Sequence, residues 1–221
     1  MLYVSVLCVY ALSKNAAIYL AHLNPLTRSH AEIISRLSKE YQVYLFPVRF
    51  LKRDREVNTR SFPFSFEARK FMVEELFGES VKVLSEYTFQ SPFLRYLPPL
   101  LSPYGWKMRN DILKSIVENE FFSYTGDRAE CLMLRIYGLK PMLNMRLEIS
   151  GTCVRDLLYR EATHSGRRGE CVNGSWHSKV PQQIVEIIYK YWGTVKEFAD
   201  ADDRTLRLFG MKFPQDGLVT S

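Results

Sequence analysis

The feature that most constrains the fold is the alternation of short apolar runs with longer segments of helical periodicity. The runs AAIYLA (16–21) and YQVYLFPV (41–48) are typical of buried strands. Between them, RSHAEIISRLSKE places Ala31, Ile34 and Leu37 on one helical face. A strand, a helix and a second strand in this order form a βαβ unit, whose parallel strands are covered on both faces. The sequence therefore predicts an α/β fold built on an open parallel sheet with helices on both faces.

The alternation continues towards the C-terminus and indicates the order of the remaining elements. Apolar runs predict strands over 80–87 and 121–126. Ser65 is a plausible cap for the helix that follows it. The predicted helices cover 65–77, 105–120, 128–138, VRDLLYRE and PQQIVEIIYKYW. Because helices follow the last strand, we expect a C-terminal helical extension.

Two segments interrupt this order. The stretch 90–106 is rich in proline and aromatic residues and predicts a surface loop near a site, whereas 162–178 is rich in glycine and serine and predicts a flexible loop. We expect a single domain over 16–198, with an N-terminal extension over 1–15. Residues 199–221 are expected to form a loosely held C-terminal tail.

Composition narrows the classes of protein that this chain can belong to. With 221 residues, 47% of them hydrophobic and 24% charged, the chain has the composition of an ordinary globular protein. Its net charge of +6 favours anionic partners such as nucleotides, phosphates or nucleic acid. The N-terminal apolar run is shorter than the roughly 20 residues that span a bilayer, so no membrane role is expected. Four cysteines without a CxxC pair predict reduced thiols in a cytoplasmic protein.

A polar cluster, HLNPLTRSH (22–30), follows the first predicted strand. In open α/β sheets, ligands bind at the carboxyl ends of the strands, where helices begin. A helix that starts near Thr27 or Arg28 would direct its free N–H groups and positive dipole end outwards, and His30 would add a donor. A phosphate is the natural occupant. A histidine at such a position is, taken alone, more often a capping or packing residue, and this stretch does not decide between the two.

A second stretch, EISGTCVRDLL (148–158), repeats this arrangement after the last predicted strand. An apolar residue, Ile149, precedes a Ser-Gly-Thr turn that permits close backbone approach, and Arg155 lies one turn inside the following helix. By itself such a turn is a common helix cap. Two helix starts of this kind, one after the first strand and one after the last, together predict a shared phosphate site.

These motifs resemble those of the nucleotidylyltransferase superfamily. LNPLTRSH resembles its [H/T]xGH signature, and ISGTCVR resembles its ISxTxxR signature, in the same order and about 120 residues apart. FPFSFEARKFMV is similar to the NPFTAGERxxMI segment of archaeal-type nicotinamide mononucleotide adenylyltransferases. GWKM, YTGDRAE and KVPQQIVEIIYKYWGTVKEF also fall where that family has a Trp, a TGN turn and a VPxxVxxxI helix. The resemblance covers roughly 16–198 and implies a Rossmann-like fold.

The resemblance also implies roles for individual residues. Thr27 and His30 would hold the nucleotide phosphates and stabilise charge at the α-phosphate, and Arg155 would hold the β and γ phosphates. ATP or its phosphates would also be bound by His22, Asn24, Ser150, Gly151, Thr152, Gly126 and Asp127. Acceptor binding is implied for Arg69, Phe64 and Trp106, with Trp106 matching an aromatic residue that stacks on the nicotinamide ring.

The sequence departs from the family pattern at several positions. Ser29 replaces a glycine, Thr27 stands where the archaeal enzymes have histidine, and Phe62 replaces the asparagine of the NPF segment. Ala21 and His22 replace an expected glycine and arginine. These departures concern the acceptor substrate more than the fold.

The resulting hypothesis is an adenylyltransferase that transfers AMP from ATP to nicotinamide mononucleotide, forming NAD and pyrophosphate with Mg²⁺ bound alongside ATP. One alternative keeps the chemistry but uses another phosphate-bearing acceptor (phosphopantetheine, FMN or a phospho-alcohol) or CTP as donor. The other is a noncatalytic nucleotide- or RNA-binding protein, although we do not expect a nucleic-acid partner. We expect a homo-oligomer and no metal ligands from the protein. His164, Cys171 and His177 fit no zinc-binding spacing.

Overall fold

The computed structural model describes residues 15–144, 148–163, 175–208 and 210–219. The predicted extension over 1–15 lies outside the described residues except for its last position, as does most of the predicted loop over 162–178. His164 and Cys171 are among the residues that are not described. His177 is described, and its imidazole contacts Ser175 and Tyr189.

The elements follow the predicted alternation and extend beyond it. The strands are β1 (Ala16–Ala21), β2 (Gln42–Pro47), β3 (Arg49–Lys52), β4 (Arg55–Glu56), β5 (Val81–Val83), β6 (Thr88–Gln90), β7 (Phe121–Thr125), β8 (Pro141–Leu143), β9 (Thr205–Leu208) and β10 (Met211–Pro214). The helices are α1 (Arg28–Glu40), α2 (Phe66–Phe77), α3 (Pro103–Lys114), α4 (Arg128–Ile136), α5 (Gly151–Thr163), α6 (Gln182–Lys190) and α7 (Trp192–Ala199). Short 3₁₀ helices cover Gly78–Ser80, Phe93–Tyr96 and Trp176–Lys179.

The main sheet is open and parallel, as predicted. Within the described residues it has five strands in the order β5-β2-β1-β7-β8, and its recorded pairs are all parallel. Tyr19 of β1 lies opposite Leu45 of β2 and Tyr124 of β7, so the carboxyl ends of these central strands lie side by side. The prediction missed β8, whose three residues carry too weak a pattern to be recognised from sequence.

Helices cover both faces of this sheet because the side chains of β1 alternate between two apolar clusters. Ala17 and Tyr19 pack with side chains of α1, α2, α5, α6 and α7. Ile18 faces the other way, towards Ile112 of α3 and Leu134 of α4. The α/β fold class is therefore confirmed, including the helical extension formed by α6 and α7.

A third apolar cluster corrects the expectation of a loosely held tail. β9 and β10 form an antiparallel hairpin, and Phe213 of β10 is fully buried against Phe50 and Phe89, which belong to a small second sheet of order β4-β3-β6. The expected surface loop over 90–106 is also partly structured, since Phe93 and Tyr96 are buried in the same cluster. One aromatic anchor thus attaches the C-terminal hairpin to the domain.

Two general expectations can be compared with the structure. Cys131 is a free, buried thiol, but Cys153 is disulfide-bonded, which contradicts the expectation that the cysteines are reduced. No helix in the described part of the chain is long and apolar enough to cross a membrane.

Candidate functional site

A cavity of about 530 Å³ opens at the carboxyl ends of β1 and β7. Its volume lies within the range of small-ligand sites. The loop after β1, the start of α1, the turn after β7 and the start of α5 all line it. The structure therefore brings both predicted motifs to one cavity, and nine of the predicted site residues line it: His22, Asn24, His30, Gly126, Asp127, Ser150, Gly151, Thr152 and Arg155.

A capping box fixes the start of α1. Thr27 is the N-cap, and its Oγ1 accepts a hydrogen bond from the backbone N–H of His30 at 3.3 Å. In return, the backbone N–H of Thr27 donates to Nδ1 of His30 at 3.1 Å. An imidazole whose Nδ1 is an acceptor carries its proton on Nε2 when it is neutral. The cap therefore leaves His30 with Nε2–H as its free donor at the cavity.

The protonation state of His30 follows from its surroundings. Burial, and then the positive charge of Arg155, lowers the pKa of His30 to about 4. At neutral pH the imidazole is therefore uncharged and serves as a hydrogen-bond donor rather than as a cation. The exposed N–H groups at the start of α1 add partial positive charge beside it.

The start of α5 forms the opposite wall. Oγ of Ser150 accepts from the backbone N–H of Cys153 at 3.2 Å and so caps the helix. The guanidinium of Arg155 donates to the carbonyl of Asn24 and to Oγ1 of Thr152, the latter at 3.0 Å. A Cβ at Gly151 would lie 3.4 Å from Nη1 of Arg155, which is ordinary van der Waals contact, so the approach of Arg155 does not itself require glycine.

Arg155 is a buried cation without an acidic partner. Only 7% of its surface is exposed, and it forms no ion pair with any described residue. Burial lowers its pKa, and the nearby Tyr159, Asp156 and Asp203 act in the opposite direction. Two of its five N–H donors are used in the two hydrogen bonds above, which leaves donors for an anion in the cavity.

Ser29, the replacement for the usual glycine, joins the two motifs directly. Its side chain is buried and its Oγ accepts from the backbone N–H of Ile149 at 3.2 Å. The start of α1 is therefore tied to the residue that precedes the Ser150 turn. Sequence reasoning noticed this departure but assigned no role to it, because the partner lies 120 positions away.

The loop from His22 to Asn24 is held in place by residues that were predicted to bind the acceptor. The side-chain amide of Asn24 pairs with the backbone of Phe64, donating to its carbonyl at 2.8 Å and accepting from its N–H at 3.0 Å. Arg69, only 2% exposed, donates to the carbonyls of His22 and Val48 at 3.0 and 2.7 Å. Arg69 and Phe64 therefore support the loop and do not line the cavity.

Trp106 also lies outside the cavity lining. Its indole N–H donates to the carbonyl of Leu100 at 3.0 Å, and its ring packs edge-on against Tyr137 at 4.9 Å. The structure therefore brings none of the three predicted acceptor residues into the cavity. Its wall on this side instead contains aromatic residues that sequence reasoning missed: Tyr87, Phe89, Tyr96 and Tyr137. The aromatic-rich stretch 90–106 was the available signal for this wall, although it supplies only Tyr96.

The turn after β7 contributes a carboxyl group that was also missed. Oγ1 of Thr125 accepts from the N–H of Asp127 at 3.1 Å and donates to Oε2 of Glu130 at 2.5 Å, while Oδ1 of Asp127 accepts from the N–H of Glu130 at 2.9 Å. Burial, with a contribution from Asp127, raises the pKa of Glu130 to about 7. The spacing TGDRAE could have indicated Glu130, because it is the N3 residue of a helix capped by Asp127.

His22 lies near several positively charged side chains at the cavity. Its ring stacks on Phe62, with ring centroids 5.0 Å apart. Water can reach the ring, but surrounding protein atoms and then the charges of Arg155, Arg69 and Lys212 lower its pKa. His22 is therefore neutral at pH 7. No group of three or more His, Cys, Asp or Glu side chains in the described part of the chain could hold a metal ion.

No protein-family model matches the chain, and no curated protein matches its sequence. The structure is similar to that of a bifunctional NMN adenylyltransferase/ADP-ribose pyrophosphatase from Francisella tularensis, with a TM-score of 0.53 and 14% identity. The alignment covers 86% of this chain and 51% of that protein, so this chain spans about half of its length. This likeness confirms the Rossmann-like α/β fold.

Two further structures have lower scores. NadR in complex with NAD and AMP-PNP has a TM-score of 0.47 and 21% identity, over 68% of this chain and 44% of NadR. A nicotinic acid mononucleotide adenylyltransferase from Plasmodium falciparum, complexed with NaAD, has a TM-score of 0.41 and 16% identity, over 80% of this chain and 96% of that protein. Of these three likenesses, only the one to the Francisella structure supports the conclusion about the fold.

Proposed function

We propose that this chain is a nucleotidyltransferase that transfers AMP from ATP to nicotinamide mononucleotide, forming NAD and pyrophosphate. The observation that carries the proposal is the convergence of two helix starts on one cavity. The start of α1 supplies Nε2–H of His30, and the start of α5 supplies the buried guanidinium of Arg155. The hydrogen bond between Ser29 and Ile149 ties the two together. A site that has hydrogen-bond donors but no buried pair of carboxylates is suited to phosphate transfer from a nucleotide.

The proposed reaction is an in-line displacement at the α-phosphorus of ATP. A phosphate oxygen of the mononucleotide forms a bond to that phosphorus, and the bond from the phosphorus to the α,β-bridging oxygen breaks as pyrophosphate leaves. The attacking oxygen is already anionic, so no general base is needed. The protein therefore contributes positioning and charge stabilisation.

The two walls would stabilise different parts of the transition state. Nε2–H of His30 and the free N–H groups of α1 would donate to the oxygens of the α-phosphate. Arg155 would donate to the departing pyrophosphate, whose charge grows as the bond breaks. Because Arg155 is already held by Asn24 and Thr152, little reorganisation is needed when that charge develops.

Mg²⁺ would enter this site bound to ATP. Magnesium is commonly held by substrate phosphates, one or two carboxylates and water. The cavity fits this mode, because it offers the carboxyl groups of Asp127 and Glu130 but no larger group of ligands in its described lining. The ion would neutralise charge on the phosphates, while the residues named above orient them.

The same chemistry with another phosphate-bearing acceptor is a second candidate. The observation that favours it is the position of Trp106, which lies outside the cavity and so is not placed to stack on a nicotinamide ring. Phosphopantetheine, FMN and a phospho-alcohol each carry a phosphate that could bind in the same part of the cavity. CTP is an alternative donor.

The test is pyrophosphate release measured with each acceptor, using MgATP and MgCTP in parallel. We expect NAD and pyrophosphate in equal amounts from ATP and nicotinamide mononucleotide. Release with a different acceptor alone would reassign the substrate but keep the reaction. Tight ATP binding without release in any mixture would contradict catalysis and favour the noncatalytic alternative. An Arg155→Ala variant is the control against contaminating activity.

A further inference from the structure

The C-terminal hairpin brings two more cations to the cavity. Arg207 of β9 and Lys212 of β10 both line it. They are also direct partners in the register of the hairpin, so their side chains emerge on the same face. The neighbouring Phe213 points to the opposite face, where it is fully buried. The alternation of a two-stranded hairpin thus places an apolar anchor on one side and a pair of positive charges on the other.

Several contacts fix the position of this pair. Phe213 packs against Phe50 and Phe89, with centroids 5.7 and 5.4 Å apart. The ammonium group of Lys212 donates to Oγ of Ser61 at 3.1 Å, and Ser61 in turn donates to Asp203 at 2.8 Å. Lys212 therefore approaches the cavity from an anchored strand and not from a free chain end.

The arrangement of charges is unfavourable without an anion. Like charges directly opposite each other on a hairpin destabilise it, and Arg155 adds a third positive charge nearby. Burial, Arg155 and Arg207 lower the pKa of Lys212, whereas Asp203 and Asp156 raise it. The carboxylate of Asp203 already accepts from Ser61 and Thr205. Among the described residues, neither hairpin cation forms an ion pair.

We propose that Lys212, supported by Arg207, binds the terminal phosphates of the nucleoside triphosphate together with Arg155. The choice of the triphosphate rests on the proposed function, in which Arg155 faces the β and γ phosphates. A lysine has three N–H donors, of which one is used on Ser61. The remaining donors and the charge are available to the most highly charged part of the substrate. The C-terminal hairpin would thus complete a phosphate site whose other parts come from α1 and α5.

The test compares ligands that differ only in their phosphates. Affinities of a non-hydrolysable MgATP analogue, AMP, adenosine and nicotinamide mononucleotide are measured by calorimetry on the full chain. We expect Lys212→Gln to weaken binding of the triphosphate by about tenfold or more, the scale of one charge-assisted hydrogen bond. Affinities for AMP, adenosine and the mononucleotide should change less than about twofold.

Two further variants separate this role from general effects. Lys212→Arg keeps the charge and should retain most of the triphosphate affinity. Arg204→Gln removes an exposed positive charge that precedes the same hairpin but does not line the cavity, and it should leave all four affinities unchanged. A melting curve for each variant reports whether the hairpin is still folded.

Three outcomes of the affinity measurements would overturn the inference. An unchanged triphosphate affinity in Lys212→Gln would show that the ammonium group does not contact the phosphates. Equal weakening of all ligands would indicate a structural role, and selective loss of the mononucleotide would assign Lys212 to the acceptor phosphate. If the wild type binds the triphosphate through Lys212 but transfers nothing to any acceptor, the proposed function fails while the binding site stands. If the wild type transfers AMP and Lys212→Gln binds the triphosphate as tightly as the wild type, the proposed function stands and the inference about Lys212 fails.

Discussion

Replacing His30 with glutamate separates its structural role from its proposed chemical role. In the structure, Nδ1 of His30 accepts from the N–H of Thr27 and completes the capping box of α1. Glutamate at the same helical position is a usual member of a capping box, so its carboxylate can accept this hydrogen bond. An ionised carboxylate has no hydrogen-bond donor. His30→Glu therefore preserves the helix start and removes the proposed donor to the α-phosphate.

The two contributions differ enough in size to be told apart. Loss of a helix cap costs about 0.5–2 kcal/mol of folding free energy. Loss of one preorganised donor to developing charge costs about 2.7–4 kcal/mol of activation free energy, or roughly 100- to 1,000-fold in kcat. We expect His30→Glu to lower kcat by about a hundredfold or more, because it removes the donor and adds a negative charge beside the phosphates. Its melting temperature should stay close to that of the wild type. His30→Ala should show the same loss of rate together with a destabilisation of about 1 kcal/mol.

The assay is pyrophosphate release at saturating MgATP and acceptor, paired with thermal melting by circular dichroism. Rates are compared per folded molecule. A His30→Glu rate within a few-fold of the wild type would refute the donor role and leave His30 as a helix cap. Because the pKa of His30 is about 4, its ionisation should also leave no step in the rate profile between pH 6 and 8.

Three further variants test other parts of the site. Glu130→Gln should raise the free energy of unfolding, measured by urea denaturation, by about 1–3 kcal/mol at pH 8 and have little effect at pH 4. The reason is that the pKa of Glu130 is raised to about 7, so its carboxyl group costs the wild type stability as pH rises from 4.5 to 7. An equal effect at both pH values would contradict this. Ser29→Ala should cost about 1 kcal/mol in the same measurement, since it leaves the N–H of Ile149 without its acceptor, and no change would show that water replaces the hydroxyl. Trp106→Ala should leave the KM of the acceptor within about twofold, and a tenfold rise would place the indole at the acceptor after all.

The parts of the fold that local sequence determines were predictable. Ser65 caps α2 through a bond to the backbone of Ala68, three residues away, and Gly78 ends that helix with a positive φ of 53°. Patterns of this kind depend on neighbours in the chain, so a single sequence contains them. The strand β1 was recognisable for the same reason, since its apolar run is buried on both faces.

The C-terminal hairpin was not predictable because long-range packing creates it. The segment TLRL of β9 is only four residues long, and two of them are exposed. Its stability comes from Phe213, which reaches a cluster more than a hundred positions earlier in the chain, around Phe50 and Phe89. No local pattern identifies that destination, so a short segment near the end of the chain resembled a tail.

The same distinction separates the two parts of the candidate site. Thr27, His30 and Ser150 act through caps within three residues of themselves, which their spacing reveals. Arg69 contacts carbonyls that are 47 and 21 positions away, and its contribution changes from binding a ligand to supporting a loop once those partners are known. The proposed reaction type therefore depends on local motifs, whereas the proposed acceptor pocket depends on an aromatic wall assembled from distant segments. It is this wall, formed by residues such as Tyr87 and Tyr137, that measurements of acceptor specificity should address.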